Sequence, residues 1–309
     1  MHPSFRFARF FPLSTETFSP RYRDLDAWNP DEILGALLDS QFCAVAAVNA
    51  ALNPLERACV GIAERLRQGG RIVYVGAGTS GRIAVQDGAE LPPTFDWPRD
   101  RVVFIVAGGM SALVQSVEGA EDNRAAAIAA IEEEEIGPED SVIGLAASGT
   151  TPFTVAAIQA ARQRGALTVS IANNADSPLL HAADYPVLLD TGPEVLAGST
   201  RLKAGTAQKI ALNLISTTVM IQLGRVYDGM MVDMIAANEK LRRRSERMLQ
   251  RLTDAPLDRI QAALDAANGK VKLARLLLEG LRVSEAVTLL EAHDGHLRPA
   301  LAAVNARKK

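Results

Sequence analysis

Two loops in the sequence combine glycine with hydroxyl side chains directly after apolar runs. One is Gly76-Ala-Gly-Thr-Ser-Gly81, the glycine loop, and the other is Ala147-Ser-Gly-Thr-Thr-Pro152, the serine loop. A glycine-rich turn at the start of a helix exposes backbone N–H groups, and hydroxyls add further donors, so both loops favour an anion. Two such loops in equivalent places predict a binding site for a phosphate monoester on a small molecule. Its candidate residues are Gly78, Thr79, Ser80, Gly81, Ser148, Gly149, Thr150 and Thr151.

The glycine loop also fits the dinucleotide-binding pattern Gly-x-Gly-x-x-Gly, but a second observation argues against that function. A dinucleotide fold places an acidic residue about 20 residues further on, at the end of the second strand. Here the second apolar run, residues 102–106, ends in Ala107-Gly-Gly109. The Gly-Lys-Ser/Thr sequence that closes a nucleoside triphosphate loop is absent as well. We therefore predict an enzyme or binding protein without a nucleotide cofactor.

Carboxylates follow both of the first two predicted strands. Glu90 ends the helix after the glycine loop, and two prolines fix the chain direction just beyond it. The segment Val117-Glu-Gly-Ala-Glu-Asp122 contributes three more acids after the second strand. Each of these acids is either an ordinary surface residue or a proton donor or acceptor whose pKa is raised by burial.

A third polar segment, Gly198-Ser-Thr-Arg-Leu-Lys-Ala-Gly-Thr-Ala-Gln-Lys209, stands at the start of a long predicted helix. Its Ser199, Lys203 and Lys209 either contribute to an anion site or belong to the helix cap. The sequence alone leaves these two alternatives open.

The elements that position these residues alternate along the middle of the chain. Helices are predicted at 31–50, 54–68, 80–89, 111–134, 151–164, 204–224 and 238–251, and strands at 72–75, 102–106, 142–146, 167–172 and 186–189. This alternation predicts an α/β protein with a parallel sheet flanked by helices. Beyond residue 256, short helices rich in Ala and Leu indicate a small helical module. We predict an N-terminal arm and helix at 1–53, an α/β domain at 54–225 and a C-terminal helical region at 226–309.

Composition excludes several function classes. The 309 residues carry a net charge of −3, which gives no broad basic surface for nucleic acid. No apolar run approaches the roughly 18 residues of a membrane span, so we expect a cytoplasmic protein. The arginine-interrupted segment 1–11 is expected to be a loosely ordered extension, with a targeting arm or a strap onto a neighbouring subunit as alternatives. Cys43 and Cys59 are expected to be reduced core thiols, and neither they nor the four scattered histidines form a metal site.

Taken together, these segments resemble the N-acetylmuramic acid 6-phosphate etherases, which contain a sugar isomerase (SIS) domain. The resemblance runs from about residue 13 to about residue 301. The segments that carry it are Val75-Gly-Ala-Gly-Thr-Ser-Gly-Arg82, Glu90-Leu-Pro-Pro-Thr-Phe95, Val117-Glu-Gly-Ala-Glu-Asp122, Ala146-Ala-Ser-Gly-Thr-Thr-Pro152 and the block from Glu194 to Lys209. The last block is long and far more specific than a single glycine motif.

The resemblance implies a flavodoxin-like SIS fold and an enzyme of peptidoglycan recycling that needs no cofactor. Such enzymes cleave the lactyl ether of N-acetylmuramic acid 6-phosphate to N-acetylglucosamine 6-phosphate and D-lactate. The family's two active-site glutamates match Glu90 and Glu121. Family analogy makes Glu90 the better candidate for protonating the leaving lactate, while Glu121 would assist proton transfer at C2 or hold the sugar. The resemblance also implies a homodimer with substrate sites near the subunit contact.

The sequence departs from the family pattern at three places. Leu91 replaces a cysteine, Thr150 replaces an arginine, and Phe18-Ser19 replaces an Arg-Asn pair. Relative to the family pattern, the change at Thr150 is expected to remove an anion contact, and the change at Phe18-Ser19 is expected to weaken a substrate contact of the N-terminal segment. Two alternatives therefore stand beside the etherase: a non-catalytic sugar-phosphate regulator and an aldose–ketose isomerase of the same fold.

Overall fold

The structure is a computed structural model that describes residues 13–115, 117–234 and 239–307. Its centre is a five-stranded, fully parallel sheet in the order β2-β1-β3-β4-β5. The strands are β1 (Ile72–Gly76), β2 (Val102–Val106), β3 (Ser141–Ala146), β4 (Leu167–Ala172) and β5 (Tyr185–Leu188). This is the flavodoxin-like order, so the predicted fold class is confirmed.

Helices cover both faces of the sheet, and a helical region follows it. The helices are α1 (Pro30–Ala50), α2 (Leu52–Arg67), α3 (Gly78–Ala89), α4 (Leu91–Phe95), α5 (Arg124–Glu133), α6 (Pro152–Gln163), α7 (Pro178–Ala182), α8 (Lys203–Gln222), α9 (Glu239–Leu252), α10 (Leu257–Ala266), α11 (Val271–Leu277), α12 (Val283–Glu291) and α13 (Leu297–Arg307). A short antiparallel pair, β6 (Val226–Tyr227) and β7 (Met230–Met231), joins α8 to the last five helices.

The alternation of side chains along each strand divides the core into two layers. Ile72 and Tyr74 of β1 pack with residues of α1, α2 and α8, whereas Val73 and Val75 pack with α5 and α6 on the other face. Every residue of β1, β3 and β4 is buried, which is why these strands are apolar or small along almost their whole length. The helices α9 to α13 enclose a separate apolar cluster of their own.

One predicted helix is wrong, and the error concerns the candidate site. Residues 111–134 do not form a continuous helix: two 3-10 turns, Met110–Leu113 and Ala120–Asp122, precede α5. The break occurs because Gly119 adopts a left-handed backbone with φ of 70°, and the Asn123 side chain caps α5 by accepting the Ala126 N–H at 3.0 Å. Glu118 therefore lies in a loop and Glu121 in a 3-10 turn, and neither lies on the predicted α-helix.

The structure corrects two further predictions, which concern the cysteines and the apolar helix α1. Both cysteines are free, and Cys59 is buried as expected, but Cys43 is exposed, because it lies on an outward face of α1. The prediction that no apolar run approaches the length of a membrane span is wrong for α1, which has the length and apolar composition of one, with 28% of its most apolar window buried. This helix carries an outward apolar stripe, described below, and packs along α8 on its other side. The arm predicted at 1–11 lies outside the described residues.

Candidate active site

The glycine loop and the serine loop lie side by side at the carboxyl edge of the sheet. They follow β1 and β3, which are hydrogen-bonded neighbours, with Gly76 opposite Leu145. The strand order reverses between these two strands, because β2 lies on one side of β1 and β3 on the other. Ligands of open parallel sheets bind at this reversal point. The two loops singled out in the sequence thus form one continuous rim.

The glycine loop forms the N-terminus of α3. Gly78 starts the helix with φ of 53°, and Gly81 lies so close to Gly76 that a Cβ at Gly81 would be 3.0 Å from the Gly76 oxygen. Ser80 is buried, and its hydroxyl donates to Gln208 Oε1 at 2.8 Å, so its hydrogen is used within the protein. Thr79 is half-buried. The loop therefore offers the backbone N–H groups of the first turn and the Thr79 hydroxyl to a ligand.

The serine loop is a tight turn ordered by its own hydroxyls. Ser148 Oγ accepts hydrogen bonds from the backbone N–H of Thr150 at 3.2 Å and from the Thr150 hydroxyl at 3.1 Å. Because Ser148 accepts in both bonds, its own hydroxyl hydrogen is available for an outside acceptor. Gly149 adopts φ of 70°, and Thr151 immediately precedes α6. Ser148 is half-buried and Thr150 is exposed, so the turn faces the rim.

The N-terminus of α8 is already occupied by a carboxylate of the protein. Glu194 is completely buried and accepts the backbone N–H of Ala204 at 2.9 Å and that of Lys203 at 3.3 Å. Burial raises the pKa of Glu194, while these hydrogen bonds and the nearby Lys203 act in the opposite direction. Lys203 is itself 5% exposed. This geometry favours the capping role for Lys203, and Ser199 stays half-buried in the preceding loop.

Glu121 lies beside the glycine loop in a cavity of about 230 Å³. Gly78, Arg82 and Glu118 line the same cavity. The Arg82 guanidinium tethers the loop that carries both glutamates, because its Nε donates to the Leu113 oxygen at 2.9 Å and its Nη2 to the Ala112 oxygen at 3.1 Å. Arg82, which directly follows the glycine loop, thus connects the predicted phosphate site to the segment that carries Glu121.

Glu90 lies in a second, smaller cleft of about 80 Å³ together with Lys209 and Asn213. Lys209 Nζ donates to Asn213 Oδ1, and Asn213 Nδ2 donates to the buried carboxylate of Asp87 at 2.6 Å. Asp87 also accepts from Tyr74 Oη at 2.9 Å and from Ser216 Oγ at 3.1 Å. Burial raises the pKa of Asp87, which the three hydrogen bonds partly offset. Lys209 is therefore held beside Glu90 by a polar chain that ends in the core.

Comparison with known proteins identifies the family of the chain. A model of the glucokinase regulatory protein N-terminal SIS domain matches residues 55–162, and the SIS domain model matches residues 109–218. An N-acetylmuramic acid 6-phosphate etherase of Deinococcus radiodurans is 51% identical, covering 94% of this chain and 95% of that protein. The etherase of Streptomyces avermitilis is 47% identical, covering 94% of both chains.

The chain belongs to the N-acetylmuramic acid 6-phosphate etherase family. Glu121 lines one of the cavities described above, and Glu90 lines the other. Gly78, which lines the cavity of Glu121, is the first residue of α3. Glu90 directly follows the last residue of the same helix. Helix α3 has 12 residues, and at about 1.5 Å per residue its two ends are roughly 18 Å apart.

Sequence reasoning missed Asp87, Asn213 and the tether made by Arg82. Asp87 carried one weak signal, because an acid on the apolar face of a helix requires hydrogen-bond partners when it is buried. Asn213 and Arg82 act on groups 126 and about 30 residues away in sequence, so no local pattern identifies their partners.

Proposed function

We infer that this protein cleaves the lactyl ether of N-acetylmuramic acid 6-phosphate to give N-acetylglucosamine 6-phosphate and D-lactate. It is a carbon–oxygen lyase of peptidoglycan recycling, as whole-length similarity to etherases indicates. The observation that carries the assignment within the structure is the adjacency of the glycine and serine loops at the reversal point of the sheet. Their convergent backbone and hydroxyl donors suit the 6-phosphate of a sugar. We propose that the reaction takes place in the cytoplasm.

The reaction needs a proton acceptor and a proton donor. The sugar opens to its aldehyde, which makes the hydrogen on C2 acidic because it lies beside a carbonyl. A base removes this proton, the C3–O bond to lactate breaks with protonation of the departing oxygen, and water adds to the resulting unsaturated aldehyde at C3. Overall, one water is consumed and one D-lactate is released. Two carboxyl groups in different protonation states supply such acid and base steps.

The loops and Glu121 form the part of the site that holds the phosphate and the sugar. We propose that the 6-phosphate binds the first turn of α3 with Thr79, and the serine loop with Ser148. Glu121 lines the adjoining cavity with Gly78 and is positioned to contact the sugar. Glu90 follows the far end of α3, and the roughly 18 Å length of this helix exceeds that of a hexose 6-phosphate.

We therefore propose a homodimer in which each site combines the loops and Glu121 of one subunit with Glu90 of the other. The surface of α1 supports this assembly. Leu34, Leu38, Phe42 and Val45 follow helical spacing on one face, and each is more than half exposed. The neighbouring helix α8, which carries Lys209 beside Glu90, exposes Leu214 and Ile221. An exposed apolar stripe like that of α1 is typical of a protein–protein interface.

A complementation experiment tests the shared site. Subunits carrying Glu90→Gln and subunits carrying Glu121→Gln are co-expressed with different affinity tags, and the heterodimer is purified through both tags. In a shared site, one of the two sites of the heterodimer keeps both glutamates, so about half of the wild-type activity is expected. Each homodimeric variant should be inactive. If the heterodimer is as inactive as its parents, each site lies within one chain.

The reaction itself is tested by incubating the purified protein with N-acetylmuramic acid 6-phosphate and assaying D-lactate. We expect D-lactate and N-acetylglucosamine 6-phosphate in equal amounts. Binding of the sugar phosphate without release of lactate would instead identify a non-catalytic regulator. Interconversion of aldose and ketose phosphates without lactate would identify an isomerase.

A further inference from the structure

The first described residues of the chain are built into the carboxyl edge of the sheet. Ser14, Thr15 and Glu16, here called the clasp, form a 3-10 turn closed by the hydrogen bond from the Glu16 N–H to the Leu13 oxygen at 2.9 Å. Thr15 is completely buried, so the clasp is packed into the protein rather than lying on its surface.

Asn174, which follows β4, joins the clasp to the serine loop. Its Oδ1 accepts from the Ser14 hydroxyl at 2.9 Å and from the Thr15 N–H at 3.3 Å. Its Nδ2 donates to Thr15 Oγ1 at 3.0 Å and to the Ala147 oxygen at 2.9 Å. Asn174 is 3% exposed, and Ala147 directly precedes Ser148. One buried amide thus holds the clasp and the base of the serine loop together.

The other side of the clasp holds the loop that precedes α8. The Gly198 N–H donates to the Thr15 oxygen at 3.1 Å. Gly198 has φ of 76°, and a Cβ there would lie 2.8 Å from Glu16 Oε2, so the clasp and this loop are in close contact. Gly198 directly precedes Ser199. The clasp therefore spans the serine loop and the Ser199 loop, which do not follow one another in the chain.

We propose that the clasp positions the serine loop for the sugar phosphate, with Thr15 and Asn174 as its positioning residues. This inference rests on the phosphate site proposed above. Loss of the Thr15–Asn174 bond leaves a buried amide hydrogen without its acceptor and frees the clasp from the loop. The serine loop then samples other conformations, and ligand affinity falls because the competent arrangement must be restored on binding. Steps that do not involve this loop keep their rates.

Thr15→Val tests the proposal, because valine keeps the shape of threonine and removes the hydroxyl. We expect KM for N-acetylmuramic acid 6-phosphate and Kd for N-acetylglucosamine 6-phosphate to rise about tenfold, the effect of roughly 1.4 kcal/mol, with kcat nearly unchanged. Thr15→Ser, which keeps the hydroxyl, should restore both constants. Ser14→Ala, which removes one bond to Asn174 at a half-buried position, should give a smaller change in the same direction.

Thr168→Val is the matched control. Thr168 is also completely buried, and its hydroxyl donates to Asp184 at 2.7 Å at the opposite end of β4. The Thr168→Val substitution should lower the melting temperature of the protein and leave KM and Kd unchanged. The proposal is overturned if Thr15→Val behaves like Thr168→Val, or if Thr15→Val fails to fold and Ser14→Ala leaves affinity unchanged. The Kd for N-acetylglucosamine 6-phosphate is measured without turnover. If the wild-type protein released no lactate, the proposed reaction would be refuted, and the Kd values of the variants would still test the role of the clasp.

Discussion

Replacing Glu90 by glutamine is expected to lower kcat about 10²- to 10⁴-fold while the sugar phosphate still binds. Glutamine keeps the size of the side chain and its hydrogen bonding but cannot transfer a proton. Glu90 lies beside Lys209 in its cleft, at the end of α3 away from the phosphate loops, so its loss leaves the phosphate contacts intact. The measurement is steady-state release of D-lactate, combined with calorimetric titration of N-acetylglucosamine 6-phosphate.

The matched control is Glu133→Gln. Glu133 is exposed and is the last residue of α5. The substitution removes the same charge from a helix end that contributes to neither cleft, and kcat should not change. A Glu90→Gln protein that retained wild-type kcat would remove this residue from the chemistry. A variant that lost kcat together with all ligand affinity would assign Glu90 to binding rather than to proton transfer.

Gly149→Ala is expected to have the largest effect on stability among substitutions in the serine loop, about 3 kcal/mol. Gly149 adopts φ of 70°, where a side chain is disfavoured. A Cβ there would also lie 2.2 Å from Ser177 Oγ and 2.4 Å from Ser177 Cβ, which is far inside van der Waals contact. The turn must shift to relieve this overlap, so we expect a lower urea midpoint and weaker binding of N-acetylglucosamine 6-phosphate.

Two comparisons separate the backbone effect from the overlap. Gly192 has a similar φ of 67° with open space around its Cα, so Gly192→Ala should cost only about 1 kcal/mol. On a Ser177→Gly background the two closest atoms are gone and only the Ala172 Cβ, at 3.1 Å, remains near, so Gly149→Ala should then also cost about 1 kcal/mol. An equal cost of Gly149→Ala on both backgrounds would show that the contact with Ser177 is unimportant.

The segment between β2 and α5 shows why the structure around Glu121 could not be predicted from the sequence. Its residues include enough Ala, Glu and Leu to favour one helix from 111 to 134, and helix propensity alone supports that choice. The structure instead places two 3-10 turns there, because Arg82 from another element binds the Leu113 and Ala112 carbonyls and Gly119 reverses the backbone. Contacts made across the fold overrode the local preference.

The sequence by itself determined the parallel α/β fold, the two hydroxyl loops and the candidate acids Glu90 and Glu121. Strand alternation, glycine turns and helix starts depend on short-range sterics and hydrogen bonds, so they are readable over a few residues. Only the tertiary structure decided which groups meet. It brought the clasp to Asn174 across 159 positions, joined Asn213 to Asp87, and placed Glu90 at the end of α3 opposite to Gly78. Such long-range pairings follow from how the helices pack on the sheet, which no local pattern in the chain specifies.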